Sequence, residues 1–173
     1  EANEHAKKAM HAVKESAESG DPFWQGKLGS LYNYYVKDYE KALFWYEKAA
    51  AQDDAFAQSK LGVLYESGQG VEKDYKKALY WYEKAAAQDH MEAQSNLGFM
   101  YDTGNGVKKD YKKALYWYEK AAEQGDAFAQ NNLGVMFHNG FGVKVDYVRA
   151  KYWFQKAADQ GNKNAVQNMK MYR

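Results

Sequence analysis

Proton transfer and metal ligation are the chemistries that histidine and carboxylate side chains would perform, and the four histidines of this chain are placed for neither. His5 and His11 are six residues apart, which sets them about 240° apart around a helix. His90 occupies a helix-start position that aspartate fills in equivalent segments, and His138 has no second histidine near it in sequence. There is no Gly-x-Ser-x-Gly elbow and no His-Glu-x-x-His helix. With no cysteine, the chain has neither a thiol nucleophile nor a thiolate metal site. Serine or carboxylate chemistry would have to be assembled from separate segments. The expectation is a protein without catalysis, metal site or cofactor.

Glycine pairs at Gly68 and Gly70, Gly104 and Gly106, and Gly140 and Gly142 could suggest phosphate loops. A nucleotide-binding glycine loop needs a preceding strand and, in one common form, a Gly-Lys-Ser/Thr ending, and both are missing. These glycines are read instead as sharp turns that need φ > 0. What remains is recognition, so the question becomes which elements present which side chains.

Those elements repeat. DYEKALFWYEKAA at 38–50, DYKKALYWYEKAA at 74–86 and again at 110–122, and DYVRAKYWFQKAA at 146–158 recur every 36 residues. A second block, KLGSLY from Lys27, KLGVLY from Lys60, NLGFMY from Asn96 and NLGVMF from Asn132, keeps step except for a first interval of 33. The shortfall is a deleted loop: later units carry ESGQGVEKD, DTGNGVKKD and HNGFGVKVD, whereas the first has only NYYVKD. Each unit reads as two helices. In the first, Ala57, Leu61 and Tyr65 recur at i, i+4 and i+8, and the leucine is followed by a glycine, Gly62, where a neighbouring helix passes too close for a Cβ. In the second, Ala78, Tyr82 and Ala85 form the buried stripe, and Trp45, Trp81, Trp117 and Trp153 are expected to fill the joint between units.

Helix ends carry matching signals. Asp38, Asp74, Asp110 and Asp146 are N-caps of the second helices, Asp21, Asp54 and Asp126 cap first helices, and Pro22 sits at a first helical position. Gly20, Gly125 and Gly161, with Asp53 and Asp89 in the same column, close the second helices in a left-handed conformation. The flanks are fragments of the same unit: a second helix opens the array, a first helix ends it, and the count is nine or ten helices.

Composition agrees. In 173 residues, 17% aromatic content supplies a core, and 24 basic against 23 acidic residues leave a net charge of +1, no field for a phosphate polymer. Nucleic acid is not an expected partner, and no stretch is long and apolar enough for a transmembrane segment. The chain begins at Glu1, which reads as a processed or trimmed product, and the two identical thirteen-residue blocks fit recent duplication or consensus engineering alike.

The residues resemble the Sel1-like repeat family, an α/α solenoid related to tetratricopeptide repeats. The pattern A-x3-L-G-x2-Y, a G-x-G-V loop, then D-x2-K-A-x2-W-Y-x-K-A-A is carried by Ala93, Leu97, Gly98, Tyr101, Gly104, Gly106, Val107, Asp110, Lys113, Ala114, Trp117, Tyr118, Lys120, Ala121 and Ala122. The resemblance implies an all-α superhelical solenoid of antiparallel helix pairs, one domain over residues 1–173. Within it, 1–20 is a partial repeat (second helix only), 21–52 a shortened tetratricopeptide-like repeat, 53–88, 89–124 and 125–160 Sel1-like repeats, and 161–173 a partial helix.

It also implies a protein- or peptide-binding adaptor that works through a concave face lined by first helices, in a bacterial periplasmic or secreted setting ahead of a cytoplasmic one. On that analogy three surface ladders line the face: Lys27, Lys60, Asn96 and Asn132; Ser30, Val63, Phe99 and Val135; and Asn33, Glu66, Asp102 and His138. An apolar middle between polar edges suits an extended or helical peptide, with Lys60 and the asparagines gripping backbone or carboxylate groups. The competing possibility is that these side chains pack against their own helix neighbours. Phe44, Tyr80, Tyr116 and Tyr152 form a second, convex strip that would suit a glycan-binding envelope module, and a homo-oligomer is a further possibility. Some cysteine-rich bacterial relatives carry a β-lactamase label, but this chain has neither their disulfides nor a Ser-x-x-Lys nucleophile.

Overall fold

The computed structural model describes the backbone of residues 2–172 and side chains from Met10 to Tyr172. The side chain of His5 lies outside the described residues. Among these residues the fold is all-α: α1 (Ala2–Glu18), α2 (Pro22–Ser30), α3 (Tyr39–Ala50), α4 (Ala55–Ser67), α5 (Tyr75–Ala87), α6 (Met91–Thr103), α7 (Tyr111–Glu123), α8 (Ala127–Asn139), α9 (Tyr147–Asp159) and α10 (Lys163–Asn168). Two compact units divide it, Glu1–His90 and Met91–Arg173. In each, consecutive helices pack pairwise, and α2 touches α4 as α6 touches α8, so first helices neighbour first helices.

Local chemistry starts and stops the helices as expected. The carboxylates of Asp38, Asp74, Asp110 and Asp146 accept from backbone N–H groups of the second helices' first turns, and Asp21, Asp54 and Asp126 do the same for α2, α4 and α8. Gly20, Gly125 and Gly161 have positive φ, and Asp53 (φ 67°) and Asp89 (φ 58°) hold the same conformation with a side chain. The first helix and the second are tied by one repeated bond. The carbonyl of Tyr65, Tyr101 or Phe137 accepts from the N–H of the Asp nine residues on, and in the first repeat Tyr32 accepts from Asp38 only six residues on. That shorter closure is achieved by widening the last turn into a π-helix, Leu31–Val36, ended by Lys37 at φ 62°.

The cores are made of alanine, leucine and one ring per pair. Tyr46, Tyr82, Tyr118 and Phe154 are fully buried, and each lies against the glycine of its own first helix. A Cβ on Gly29 would come within 2.7 Å of the Tyr46 ring and one on Gly134 within 2.6 Å of the Phe154 ring, closer than real contacts allow. The close approach expected at these glycines is thus a ring seated on a bare backbone, within one repeat. This revises the role of the tryptophans. Trp45 is buried with Ala17 and Leu28, but Trp81, Trp117 and Trp153 are only half-buried. The neighbouring tyrosine or phenylalanine takes the deepest site because it alone faces the glycine.

The ends also differ in detail. Ala17 of α1 is fully buried, and Met10 and Val13 pack on the cluster of Leu28 and Trp45, so α1 covers α2 and α3. At the other end, α10 stops after six residues and continues as a 3-10 turn, Met169–Tyr172. Lys170 stands where Gly134 stands in α8, so this segment has no bare backbone to receive a ring.

Candidate functional site

In the first unit, the first-helix layer is organised around Phe56. Its half-buried ring meets Tyr46 and His90 edge-on, each with centroids 6.4 Å away. Two ammonium groups approach the same ring, Lys60 at 5.3 Å and Lys27 at 6.0 Å from its centroid, and Lys27 also lies 5.2 Å from Phe23. Phe23, Lys27, Asp54 and Phe56 line a shallow pocket of about 200 Å³. Ser30 is half-buried, with its hydroxyl 3.1 Å from the Gly26 carbonyl and 3.2 Å from the Tyr46 hydroxyl. Val63 is half-buried, and Glu66 accepts from the Tyr82 hydroxyl at 2.7 Å.

Two of the expected surface residues are not on the surface. Lys60 is only 8% exposed, its stem covered while its ammonium reaches Phe56. Asn33 is also 8% exposed, drawn inward by the π-helical turn that replaces the glycine loop, and its Oδ1 has no hydrogen-bond partner.

In the second unit, Asn96, Phe99, Asp102, Asn132, Val135 and His138 are all half-buried. Phe99 meets Phe128 edge-on at 6.0 Å, and Phe128 remains 43% exposed while also contacting the buried Tyr118 ring at 6.4 Å. Burial pushes the Asp102 carboxyl above its ordinary range, opposed by the Lys109 charge. Burial likewise drives the Tyr118 phenol far upward, reinforced by Asp102, with Asn132 opposing. The Tyr118 hydroxyl has no hydrogen-bond partner: Asn132 approaches it outside hydrogen-bond geometry. The difference from Tyr82 follows from one methylene, since Glu66 reaches its tyrosine and the shorter Asp102 stands in the equivalent place. His138 is already engaged, its Nδ1 2.6 Å from the Tyr172 hydroxyl and its ring 5.2 Å from Tyr147. Among the described residues no three histidine or carboxylate groups converge on a point that could hold a metal ion.

Sequence reasoning missed a second set of polar residues, eight glutamines in two columns. Gln52, Gln88, Gln124 and Gln160 each donate through Nε2 to Oε1 of Gln25, Gln58, Gln94 and Gln130, at 2.9, 2.9, 2.7 and 2.8 Å. The acceptors are buried, 4% exposed or less. Gln25 and Gln130 pass the chain on to the carbonyls of Ala17 and Ala122, and Gln58 to the carboxylate of Asp53. The signal was available, because both columns are glutamine in all four repeats. The aromatic strip on the second helices is exposed as expected, with Phe44, Tyr80, Tyr116 and Tyr152 at 50–51%. Each ring carries the ammonium of the lysine four residues on, 4.9–5.5 Å from its centroid, and lies edge-on to the ring of the tryptophan that follows it, with centroids 4.9–5.2 Å apart.

Helix pairs of about 36 residues, closed by a glycine loop and stacked first helix beside first helix, define an α/α repeat protein of the solenoid class. The model described as Sel1 repeat matches residues 27–54, 55–90, 92–126 and 127–162, and the chain belongs to the Sel1 repeat family. Among solved structures it is similar to a protective antigen present in uropathogenic Escherichia coli strains, which displays an SLR fold. That likeness has 40% identity and a TM-score of 0.82 over 88% of this chain and 33% of that one. A Sel1 repeat protein from Oxalobacter formigenes is 38% identical, with a TM-score of 0.88 over 94% of this chain and 68% of the other. Cysteine rich protein B of Helicobacter pylori is 28% identical, with a TM-score of 0.59 over 78% and 97%. The chain thus spans a third of the length of the Escherichia coli relative. Comparison with curated proteins gives no match. Sel1 repeats form a scaffold fold commonly used as a protein-interaction module. Among the described residues no helix is long and apolar enough to cross a membrane.

Proposed function

We propose that this chain is a protein- or peptide-binding adaptor without catalytic activity, and that the partner lies along the first-helix layer, the concave face implied by the repeat family. The observation that carries this reading is the Phe99–Phe128 pair with its polar surround. The helix-pair core is already filled by Tyr118 on Gly98, yet Phe99 and Phe128 keep apolar surface half open beside Asn96, Asp102 and Asn132. A ring that no core requires and that water still reaches suits an anchor pocket for a partner side chain. In the first unit Phe56, flanked by Lys27 and Lys60, offers the same combination with positive charge. Phe99, Asn96, Asn132, Val63 and Val135 are the proposed contacts, with Lys27, Ser30, Glu66 and Asp102 at their edges. Lys60 contributes through Phe56. Asn33 is covered, and His138 is held by Tyr172.

The test is affinity capture followed by titration of the captured partner. Phe99→Ala should weaken binding by about tenfold or more, equivalent to losing a hot-spot contact of roughly 1.4 kcal/mol or more, with helicity and melting preserved. Tyr116→Ala, on the other side of the helix pair, should leave binding unchanged. If Tyr116→Ala abolishes binding and Phe99→Ala does not, the first-helix layer is not the site.

A further inference from the structure

At the C-terminal end of α6 and the loop that follows it, the second unit carries a cleft of about 600 Å³ lined by Tyr101, the loop residues Val107–Lys109, Asp110 and the first turn of α7, with Gly142 from the next loop. Its charge is lopsided. Lys108, Lys109, Lys112 and Lys113 all line it and are all exposed, against a single lining carboxylate, Asp110. That carboxylate is committed to capping, accepting from the backbone N–H groups of Lys112 and Lys113 at 3.0 and 3.1 Å. None of the four lysines forms an ion pair among the described residues. Lys109 donates to the Tyr111 hydroxyl at 3.1 Å, and Lys113 lies over the Tyr101 ring at 5.0 Å, which leaves Lys108 and Lys112 as the outer pair.

The same columns elsewhere do not build this field. In the second repeat Glu72 replaces the first lysine, and in the fourth Val145 and Val148 replace the second and third. In the first and fourth repeats the capping aspartate is itself ion-paired, Asp38 with Lys41 at 2.7 Å and Asp146 with Arg149 at 3.5 Å. The third repeat alone gathers four lysines around a single capping carboxylate, leaving an excess of positive charge. The cleft is also firmly built: Tyr111 stacks on Phe141 with centroids 4.9 Å apart and planes 9° apart, and a Cβ on Gly142 would come within 2.7 Å of the Tyr111 carbonyl. Rings and aliphatic stems form its floor and ammonium groups its rim.

We propose that this cleft binds an acidic peptide segment, with carboxylate side chains on Lys108 and Lys112 and the segment's apolar stems on Tyr111 and Val107. Charge complementarity selects an acidic occupant. A peptide rather than a nucleic acid is favoured because the field is confined to one repeat, in a chain whose overall net charge is only +1. A phosphate polymer draws its affinity from charge spread along many contacts.

The experiment is fluorescence anisotropy of the intact protein with a fluorescein-labelled hexaglutamate peptide. A hexaglutamine peptide and a single-stranded oligonucleotide of matched charge serve as comparisons. Hexaglutamate should bind at least about tenfold tighter than hexaglutamine, and the binding should weaken as sodium chloride is raised. Lys108→Glu/Lys112→Glu should weaken it by about tenfold or more, whereas Lys73→Glu/Lys76→Glu in the second repeat should change it less than about threefold. Unchanged circular dichroism and urea midpoint in both variants keeps the comparison one of binding. Equal losses in the two variants, no preference over hexaglutamine, or tighter capture of the oligonucleotide would each overturn the proposal. The cleft shares no lining residue with the contacts proposed around Phe99, so its failure leaves that reading untouched.

Discussion

Gly98 and Gly26 are both buried helical glycines, yet alanine should have opposite effects at the two. Removing a glycine from a helix interior is worth about 1 kcal/mol of propensity where there is room. At Gly26 the nearest atom to a new Cβ would be 3.4 Å away, so Gly26→Ala should be neutral or stabilising. At Gly98 a Cβ would meet the Tyr118 ring at 2.5 Å, and overpacking of that kind costs about 1–3 kcal/mol. Urea midpoints of the two variants, moving in opposite directions, check the assignment. The buried hydroxyls give a second pair. Tyr82→Phe loses the 2.7 Å bond to Glu66 and should cost about 1.5 kcal/mol. Tyr118→Phe removes a buried hydroxyl with no partner and should be neutral or stabilising. Asp102 adds a pH signature. Its folded-state pKa is raised by burial above the ordinary 3.8, so its contribution is full below that value and is lost as pH rises through the raised one. Asp102→Asn should therefore raise the midpoint at pH 7 and leave it unchanged at pH 3.

At the scale of elements, the ends of helices were the most legible part of the sequence and the depth of packing the least. Aspartate N-caps and the left-handed glycine column are local chemistry, decided within three or four residues, and they stand where the sequence places them. Which ring of a Trp-Tyr pair is buried depends on what faces it from the other helix. The buried Ala78–Tyr82–Ala85 stripe and the first-helix glycine were each legible, but not that the ring sits on the glycine, and Trp81, Trp117 and Trp153, expected to fill the joints between units, are only half-buried. Tyr82→Ala should accordingly cost about 3–5 kcal/mol, and Trp81→Ala distinctly less. Asn33 was misplaced for a related reason: the missing loop was legible, but not the π-helical turn that compensates for it. That turn ends on Lys37 at φ 62°, a conformation that costs a side-chain-bearing residue about 1 kcal/mol. Lys37→Gly should therefore raise the urea midpoint. Asp53→Gly should gain less, because the Asp53 carboxylate accepts from Gln58 at 2.9 Å.

For the molecule as a whole, stability in a repeat protein is a sum over units and their nearest neighbours. The C-terminal segment covers α9, with Ala165 buried and Tyr172 reaching both Phe154 (ring centroids 6.1 Å apart) and His138. Removing residues 161–173 should expose Phe154 and accelerate amide exchange in α8 and α9 while leaving α2 to α4 protected, a gradient that hydrogen-exchange mass spectrometry reads directly.

The glutamine pairs bear on how such a chain changes length. Each donor and acceptor belong to one repeat, so a duplicated or excised unit brings or removes both partners of its glutamine–glutamine hydrogen bond together. Copy number is thereby uncoupled from the penalty of orphaned polar groups. Duplication errors in the gene can lengthen or shorten the array without first requiring compensating mutations in its interior.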